Sequence, residues 1–278
     1  MGEIYATTYH LYTIHKHFLA QSLPAVAENE GMGLRIDLLN WEEVNEVLPK
    51  YSKFTVLDVK TGKRFQVQRR AGSGHADVQP LTPKDTEIMK EIYDGKWSWK
   101  RRAIIVIYGD QWIAASMNGM PHGAGTLDNN FRGHFCIHFN GSKTHRKNMV
   151  DESHKLMILK AAGELHTYLA KAEPVTVISS FIAGMKQHDA DITSLISFQA
   201  IEWEDIFRSV ENIKIRRIHD RMIENKSILE VPIDIEWIDD RSEKTIYKGN
   251  VYLIRLAPTD VWKIDSVRFL KDSGMIQK

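Results

Sequence analysis

The sequence RRAIIVIYGDQWIAASMNG, residues 101–119, carries the signals of a β-hairpin. Two apolar runs flank the dipeptide Gly109-Asp110, and a two-residue turn of this type is typical of paired antiparallel strands. Upstream, KFTVLDVKTGKRFQVQRR (53–70) repeats the arrangement, with strands predicted at 54–59 and 64–69 around the turn KTGK. The two hairpins predict a mainly β domain in the first half of the chain.

Two helices are predicted beside these hairpins. In PLTPKDTEIMKEIY (80–93), Thr82 is a capping residue, Pro83 takes the first helical position and Asp85 lies in the first turn. Residues 151–171 form the second prediction, because apolar residues recur there at helical spacing. Those residues are Leu156, Leu159, Ala162, Leu165 and Leu169.

The character of the chain changes near Ala172-Glu173-Pro174. Helices are predicted at 174–188 and 190–197. Four strand-like segments follow: IKIRRIHDRMI, SILEVPIDIEWI, KTIYKGNVYLIRL and VWKIDSVRFL. Helices followed by antiparallel strands predict an α+β domain. A boundary near residue 170 gives one domain at 1–170, with its core at about 50–165, and a second at 171–278.

Composition excludes several classes of function. With 278 residues and a net charge of +1, the chain has no basic excess of the kind that binds nucleic acid. Residues 1–33 are predicted to be partly helical and include MGEIYATTYHLYTIHKHFLAQSL. In this stretch the polar residues His15, Lys16 and His17 interrupt the apolar ones. Neither a signal peptide nor a membrane span is therefore expected. The short basic run Lys100, Arg101, Arg102 is predicted to be a solvated strand entry.

The single cysteine, Cys136, lies in GHFCIHFNGS (133–142) and excludes both an intrachain disulfide and a multi-cysteine zinc cluster. Apolar residues occupy alternate positions, namely Phe135, Ile137 and Phe139. The intervening positions are His134, Cys136, His138 and Asn140. This alternation predicts a strand with one face in the core and His, Cys and His in a row on the other, about 6.8 Å apart at Cα.

Such a row has two interpretations. A nearby imidazole activates a cysteine thiol as a nucleophile, and backbone N–H groups of the preceding loop MNGMPHGAGTLDNNFRG (117–133) would stabilise an oxyanion. That loop contains His122. Alternatively, Cys136 is a small buried thiol with polar neighbours, since lone cysteines are among the most buried residue types.

Further histidines surround this segment. In GSGHADVQPL (72–81), His75 and Asp77 share a face if the chain is extended, and the carboxylate would fix the imidazole tautomer or both would bind a metal. The alternative is a loop capped by local Asp hydrogen bonds. His154 is predicted to lie on a helix surface and His145 in a loop. The tryptophans of KWSWKRR (96–102) are predicted to pack in the core or against a loop.

The pair His122-Gly123 followed by GHFCIHF resembles the signature of the L,D-transpeptidase (YkuD-type) catalytic domain, a histidine, a spacer and then Ser/Thr-His-Gly-Cys. Gly133 replaces the Ser/Thr, Phe135 replaces the Gly, and His138 replaces the Arg or Asn that follows. The wider pattern, over about residues 50–165, also resembles an uncharacterised domain of cell-envelope proteins from spore-forming Firmicutes.

The resemblance implies a Cys136 nucleophile that attacks a peptidoglycan stem-peptide carbonyl, giving a thioester that an amine resolves. His122 would be the base, with His134 and His138 as further catalytic residues. Residues expected to bind substrate are Asn118, Gly123, Gly133, His75 and Asp77. No cofactor is implied, the partners would be peptidoglycan stem peptides, and the location would be the cell envelope.

The second half resembles NTF2-like (cystatin-like) α+β domains, whose curved antiparallel sheet forms a cone-shaped pocket and often mediates homodimers. Two other functions remain open. One is a non-catalytic envelope or ligand-binding protein with a degenerate active site. The other is a zinc-dependent murein peptidase with ligands drawn from His75, Asp77, His134 and His138, since zinc suits histidine and carboxylate ligands.

Overall fold

A computed structural model describes residues 35–144, 149–220, 222–225, 227–257 and 259–277. The chain divides into two compact units, Met1–Gly163 and Glu164–Lys278. Both units mix helices and strands, as the sequence predicts. The helical prediction for residues 1–33 and the loop prediction for His145 lie outside the described residues.

The first unit is built around a closed barrel of six strands. The strands are β1 (Lys53–Asp58), β2 (Arg64–Ala71), β3 (Ala76–Pro80), β4 (Arg101–Tyr108), β5 (Gln111–Asn118) and β6 (Phe135–His138). Their order around the barrel is β1-β2-β3-β6-β5-β4, and β1 closes it by pairing with β4. Each neighbouring pair is antiparallel. The strand β6, which carries the cysteine, therefore lies between β3 and β5.

Both predicted hairpins are present in the barrel. The strands β4 and β5 pair from Arg101↔Asn118 to Tyr108↔Gln111, so the turn falls at Gly109-Asp110. Inward-facing side chains fill the barrel with apolar groups, among them Phe135 and Ile137 of β6, which have no exposed surface. The alternation read from GHFCIHF therefore predicted correctly which face of β6 enters the core.

Among the residues that the structure describes, three helices accompany the barrel: α1 (Trp41–Val47), α2 (Pro83–Ile92) and α3 (Glu152–Ala162). At the start of α2, Thr82 Oγ1 accepts a hydrogen bond from Asp85 N at 3.2 Å, and Asp85 Oδ2 accepts one from Thr82 N at 3.0 Å. This capping box confirms the predicted start. Asp85 Oδ1 also accepts from Gln66 N at 2.7 Å, which fastens the helix to β2.

The helix predicted over 151–171 is two helices. The first, α3, ends at Gly163, whose φ of +77° stops the helical path. The second, α4 (Leu165–Ala170), begins the second unit. A glycine in this position lets the chain turn without the cost that a β-carbon would impose.

The second unit continues with three helices and a curled antiparallel sheet. The helices are α5 (Pro174–Gln187), α6 (Ala190–Ile196) and α7 (Trp203–Ser209). The strands are β7 (Val210–Ile218), β8 (Ile223–Asn225), β9 (Ile228–Asp239), β10 (Lys244–Ile254) and β11 (Lys263–Ile264). The order is β11-β10-β9-β7, with β8 also paired to β9. A last helix, α8 (Ser266–Asp272), follows β11.

This unit differs from the predictions in two places. The helix α7 was not predicted, although its buried residues Trp203, Ile206 and Phe207 have the i, i+3, i+4 spacing of a helix face. The strand predicted over VWKIDSVRFL was wrong over most of its length. Only Lys263–Ile264 pairs there, because Asp265 Oδ1 accepts a hydrogen bond from Arg268 N at 3.2 Å and caps the helix that follows.

Within the described part of the chain, none of the helices is both long and apolar enough to cross a bilayer.

Candidate active site

The candidate site lies on the face of β6 that points away from the barrel core. In the ladder between β3 and β6, Asp77 pairs with Cys136. On the other side of β6, Ser116 pairs with His138 and Met117 with Ile137, so Asn118 is the neighbour of Cys136 on β5. One cross-strand row therefore reads Asp77, Cys136, Asn118. The ladder places these three predicted site residues side by side.

A second row runs parallel to the first. His75 lies one position before Ala76, which pairs with Ile137, so His75 is opposite His138. Their rings are stacked, with centroids 4.5 Å apart and planes within 9°. Ser116 completes the row on β5. His75 itself lies in the bend just before β3, and its Nε2 is 3.2 Å from Oδ1 of Asp77, the second residue of that strand.

Cys136 contacts an imidazole from the glycine-rich loop. His122 Nε2 lies 3.2 Å from Cys136 Sγ. The other ring nitrogen, Nδ1, lies 2.8 Å from the carbonyl oxygen of Met120 and donates to it, since a carbonyl only accepts. In the neutral ring Nε2 is then without a proton and is an acceptor within reach of the thiol, whose sulfur also lies 3.8 Å from Asp77 Oδ1. The structure holds His122 in the tautomer that a general base needs.

The environment of Cys136 keeps its thiol protonated. The residue is 4% exposed. Burial is the main cause that raises the pKa of Cys136 above its ordinary value, and the negative charge of Asp77 adds to it. A hydrogen bond from Asn118 acts in the opposite direction and favours the thiolate. Cys136 is therefore a thiol at neutral pH, and a base must take its proton before or during any attack.

Asp77 connects the cysteine to two more histidines. Its Oδ1 lies 3.8 Å from Cys136 Sγ, 3.2 Å from His75 Nε2 and 3.7 Å from His134 Nε2. The remaining ring nitrogens point to backbone carbonyls: His75 Nδ1 is 2.8 Å from Lys143 O, and His134 Nδ1 is 3.1 Å from Ala124 O. All three imidazoles thus direct Nε2 toward the Cys136 and Asp77 pair.

The stack of His75 on His138 continues with the imidazole of His154. The ring of His154, on α3, stacks on His138 with centroids 3.8 Å apart, and its Nδ1 lies 2.9 Å from Ser116 Oγ. Burial lowers the pKa of His154 well below its usual value, with the neighbouring His138 as the next cause. The predicted surface position of His154 is wrong. It shares a helix face with the buried Met157, Ile158 and Ala161, a spacing the sequence already contained.

Two glycines allow the loop to approach the strand. His122 and His134 exchange backbone hydrogen bonds of 2.9 and 2.8 Å. Gly133 has a φ of +102°, and a β-carbon there would lie 2.4 Å from His122 O. Gly123 has a φ of +62°, and its β-carbon would lie 2.4 Å from His134 Cε1. The glycines expected to bind substrate therefore also set the position of His122.

Two neighbours of the site bear on the sequence predictions. Trp97 packs against the core as predicted, whereas Trp99 is 51% exposed in a loop, with its ring centroid 5.2 Å from that of His122. The basic run is not solvated, because Arg101 Nη2 is 3.2 Å from Asp151 Oδ2 and Arg102 Nη2 is 2.6 Å from the buried Asp58 Oδ2. Trp99 thus offers a flat apolar surface at the exposed side of His122.

A cavity of about 290 Å³ lies on the α3 side of the site. It is lined by His138 and His154 together with polar side chains of the β6 end and the α3 start, including Asn140, Ser142 and Lys155. Asn140, expected in the polar row, instead hydrogen-bonds to Asn40 at 2.7 Å. The cavity provides space next to the histidine stack rather than next to His122.

The cluster also contains a set of metal-type donors. Ligand atoms of His75, Cys136 and His138 lie within 4.8 Å of one another, and all three residues are buried. Of the ligand set predicted for zinc, His75, Asp77 and His134 meet around Asp77 Oδ1. His138 approaches from the stacked row. Cys136 is the donor that the predicted zinc set omitted.

No family model matches the chain, and the searches of curated proteins and of solved structures found no match to it either.

Proposed function

We propose that the first unit is a cysteine-dependent acyltransferase or peptidase, with Cys136 as nucleophile and His122 as general base. The observation that carries this proposal is the 3.2 Å contact between Cys136 Sγ and His122 Nε2, in a ring whose tautomer is fixed by Met120 O. A thiol, an adjacent base and a group that orients the base are the elements of nucleophilic catalysis by cysteine.

The proposed reaction has two steps. The thiol proton of Cys136 passes to His122 Nε2 while Sγ bonds to a substrate carbonyl carbon, giving a tetrahedral oxyanion. The carbon–nitrogen bond then breaks, the leaving amine takes the proton back from His122, and a thioester remains. An acceptor amine, or water, attacks that thioester and loses a proton to His122, which regenerates the thiol.

The neighbours of Cys136 have opposing effects in this reaction. Asp77 raises the pKa of the thiol and so disfavours a resting thiolate, whereas the hydrogen bond from Asn118 favours the anion. The sulfur would therefore become nucleophilic only as His122 removes its proton. Asn118, next to Cys136 in the ladder, is a side-chain amide donor beside the sulfur and would stabilise negative charge that develops there.

The proposed substrate class is the peptidoglycan stem peptide. Support comes from the resemblance of His122-Gly123 and GHFCIHF to the L,D-transpeptidase motif and from the exposed Trp99 beside His122. Under this proposal the protein acts in the cell envelope and needs no cofactor. The second unit, with its helices and curled antiparallel sheet, is proposed to be NTF2-like and to mediate a homodimer.

Trapping of the acyl-enzyme tests this function. Wild-type protein and Cys136→Ala are incubated with a stem tetrapeptide donor, with and without an amine acceptor, and analysed by mass spectrometry of the intact chain. We expect a covalent adduct on wild type only. Its added mass should equal that of the donor without its leaving amine, and the adduct should disappear when acceptor is added. Equal behaviour of both proteins would overturn the proposal.

The non-catalytic alternative is supported by one observation, the 4% exposure of Cys136. Under that alternative the same face of the barrel binds a ligand without forming a bond to it. The adduct experiment separates the two functions, because a binding protein retains the stem peptide without a change in covalent mass.

A further inference from the structure

Four metal-type donors converge on one buried part of the site. Asp77 Oδ1 lies 3.2 Å from His75 Nε2 and 3.8 Å from Cys136 Sγ. His75, Cys136 and His138 have their ligand atoms within 4.8 Å of one another. Around a tetrahedral zinc, ligand atoms are separated by about 3.3–3.8 Å. Two of these separations therefore already match a coordination polyhedron within about 0.1 Å. The ring of His138 stacks on those of His75 and His154, so it must turn out of this stack to direct a nitrogen at the same ion.

The orientation of His75 points to a cation at this place. Its Nδ1 donates to Lys143 O at 2.8 Å, so the neutral ring presents a lone pair at Nε2. That lone pair faces an oxygen of Asp77, which is also an acceptor. Two acceptors 3.2 Å apart need a proton or a metal ion between them. Histidines that bind metals characteristically donate their other N–H to a carbonyl in this way.

The donor types select the class of metal. Thiolate and imidazole are ligands of zinc and similar borderline-soft cations, whereas calcium and magnesium prefer oxygen alone. All four residues are buried.

We infer that His75, Asp77, Cys136 and His138 form a binding site for a divalent cation of the zinc class. Binding replaces the thiol proton: the S–H bond breaks, a sulfur–metal bond forms and one proton leaves to solvent. Four protein ligands close a tetrahedral site, which leaves no open position for a metal-bound water. This arrangement differs from that of a zinc-dependent murein peptidase, and the metal would instead block Cys136.

The inference stands independently of acyl transfer, since a non-catalytic protein with these residues would bind the metal equally. Combined with the proposed function, it gives a regulated site in which the metal-free protein is reactive and the metal-loaded protein is not. His122 is not among the proposed ligands. Loss of the general base should therefore leave metal binding intact, which separates the two proposals.

Metal titration of the full chain tests the site. Metal-free protein is titrated with Zn²⁺ against a chromophoric chelator, and with Co²⁺ while the sulfur-to-cobalt charge-transfer absorption is recorded. The variants are His75→Ala, His138→Ala and Cys136→Ser, with His122→Ala and the exposed His166→Ala as matched controls. Circular dichroism checks that each variant is folded. The cobalt spectrum of wild type needs no variant and gives an answer even if one variant fails to fold.

We expect one equivalent of Zn²⁺ per chain and at least a 10-fold weaker affinity in His75→Ala and His138→Ala. The cobalt charge-transfer absorption should appear in wild type and in both controls and be lost in Cys136→Ser. The inference is overturned if wild type binds no stoichiometric metal. It is also overturned if cobalt binds without a sulfur band, or if His166→Ala weakens binding as much as His75→Ala does.

Discussion

Replacement of Gly133 by alanine tests the link between the backbone of the loop and the chemistry of Cys136. A β-carbon at Gly133 would lie 2.4 Å from His122 O and 3.0 Å from Gly123 O, at a φ of +102°. The strained backbone costs about 1–2 kcal/mol. Displacement of His122 also weakens two backbone hydrogen bonds with His134, each of which contributes about 0.5–1.5 kcal/mol. The expected loss is therefore about 2–5 kcal/mol of unfolding free energy.

Gly109 provides the matched control. Its φ is +57°, and a β-carbon there would meet no atom within 4 Å. Gly109→Ala therefore costs only the backbone strain, about 1–2 kcal/mol, without moving a site residue. Urea denaturation of both variants gives the two free energies. A Gly133→Ala variant no less stable than Gly109→Ala would refute the reasoning about the close approach.

The chemical consequence is measured with a double-mutant cycle. Alkylation rates of Cys136 are compared with and without His122→Ala in three backgrounds: wild type, Gly133→Ala and Gly109→Ala. We expect loss of His122 to slow alkylation in wild type and in Gly109→Ala but to have little further effect in Gly133→Ala. The ratio within each background cancels any change in thiol exposure that the glycine substitution itself causes. An unchanged ratio in Gly133→Ala would show that the loop position does not control His122.

Three other predictions concern charge. Because the folded-state pKa of Cys136 is raised, the unfolded thiol ionises first. Wild type should then lose stability relative to Cys136→Ala by up to about 1.4 kcal/mol per pH unit above pH 9, as measured by urea denaturation at pH 8–10.5. His154 has a lowered pKa, so it is neutral in the folded state. Stability should fall as the pH drops below 6.5, and His154→Gln should reduce that dependence; equal slopes in both proteins would contradict this. Arg102→Met removes the charged partner of the fully buried Asp58 and leaves it the two hydrogen bonds from Thr61. The change should cost about 3–5 kcal/mol in denaturant midpoint experiments, whereas a cost below about 1 kcal/mol would show that the hydrogen bonds from Thr61 compensate the charge.

In the first unit the sequence predicted the strands better than it predicted the arrangement of the site residues. Alternation in GHFCIHF assigns Phe135 and Ile137 to the core because side chains alternate across a strand. The turn at Gly109-Asp110 and the cap at Thr82 depend on neighbouring residues alone, and both are present. Turns and helix caps of this kind can be predicted without knowledge of long-range contacts.

The arrangement of the site depends on contacts that local patterns do not contain. Asp77, Cys136 and Asn118 become neighbours only through the order β3-β6-β5, which no single segment encodes. The polar face of β6 was predicted, but its burial was not, because α3 brings His154 onto it from further along the chain. His154 itself was predicted to lie on the helix surface, although its spacing from Met157 and Ala161 places it on the buried face.

In the second unit, errors arose where short apolar runs suit either a helix or a strand. The segment VWKIDSVRFL contains both, and Asp265 decides between them by capping the final helix. A capping residue inside a predicted strand was the signal that would have corrected the assignment. For the helix α7 the available signal was a different one, the helical spacing of Trp203, Ile206 and Phe207.

The central claim is that His122 activates Cys136, and its most direct measurement is the rate of Cys136 alkylation by iodoacetamide. Wild type, His122→Ala and the control His166→Ala are labelled at pH 7 in the presence of chelator, so that bound metal does not affect the rates. We expect His122→Ala to react at least about 10-fold more slowly than wild type, while His166→Ala reacts at the wild-type rate. Equal rates for all three proteins, or labelling only after unfolding in urea, would show that His122 does not activate Cys136.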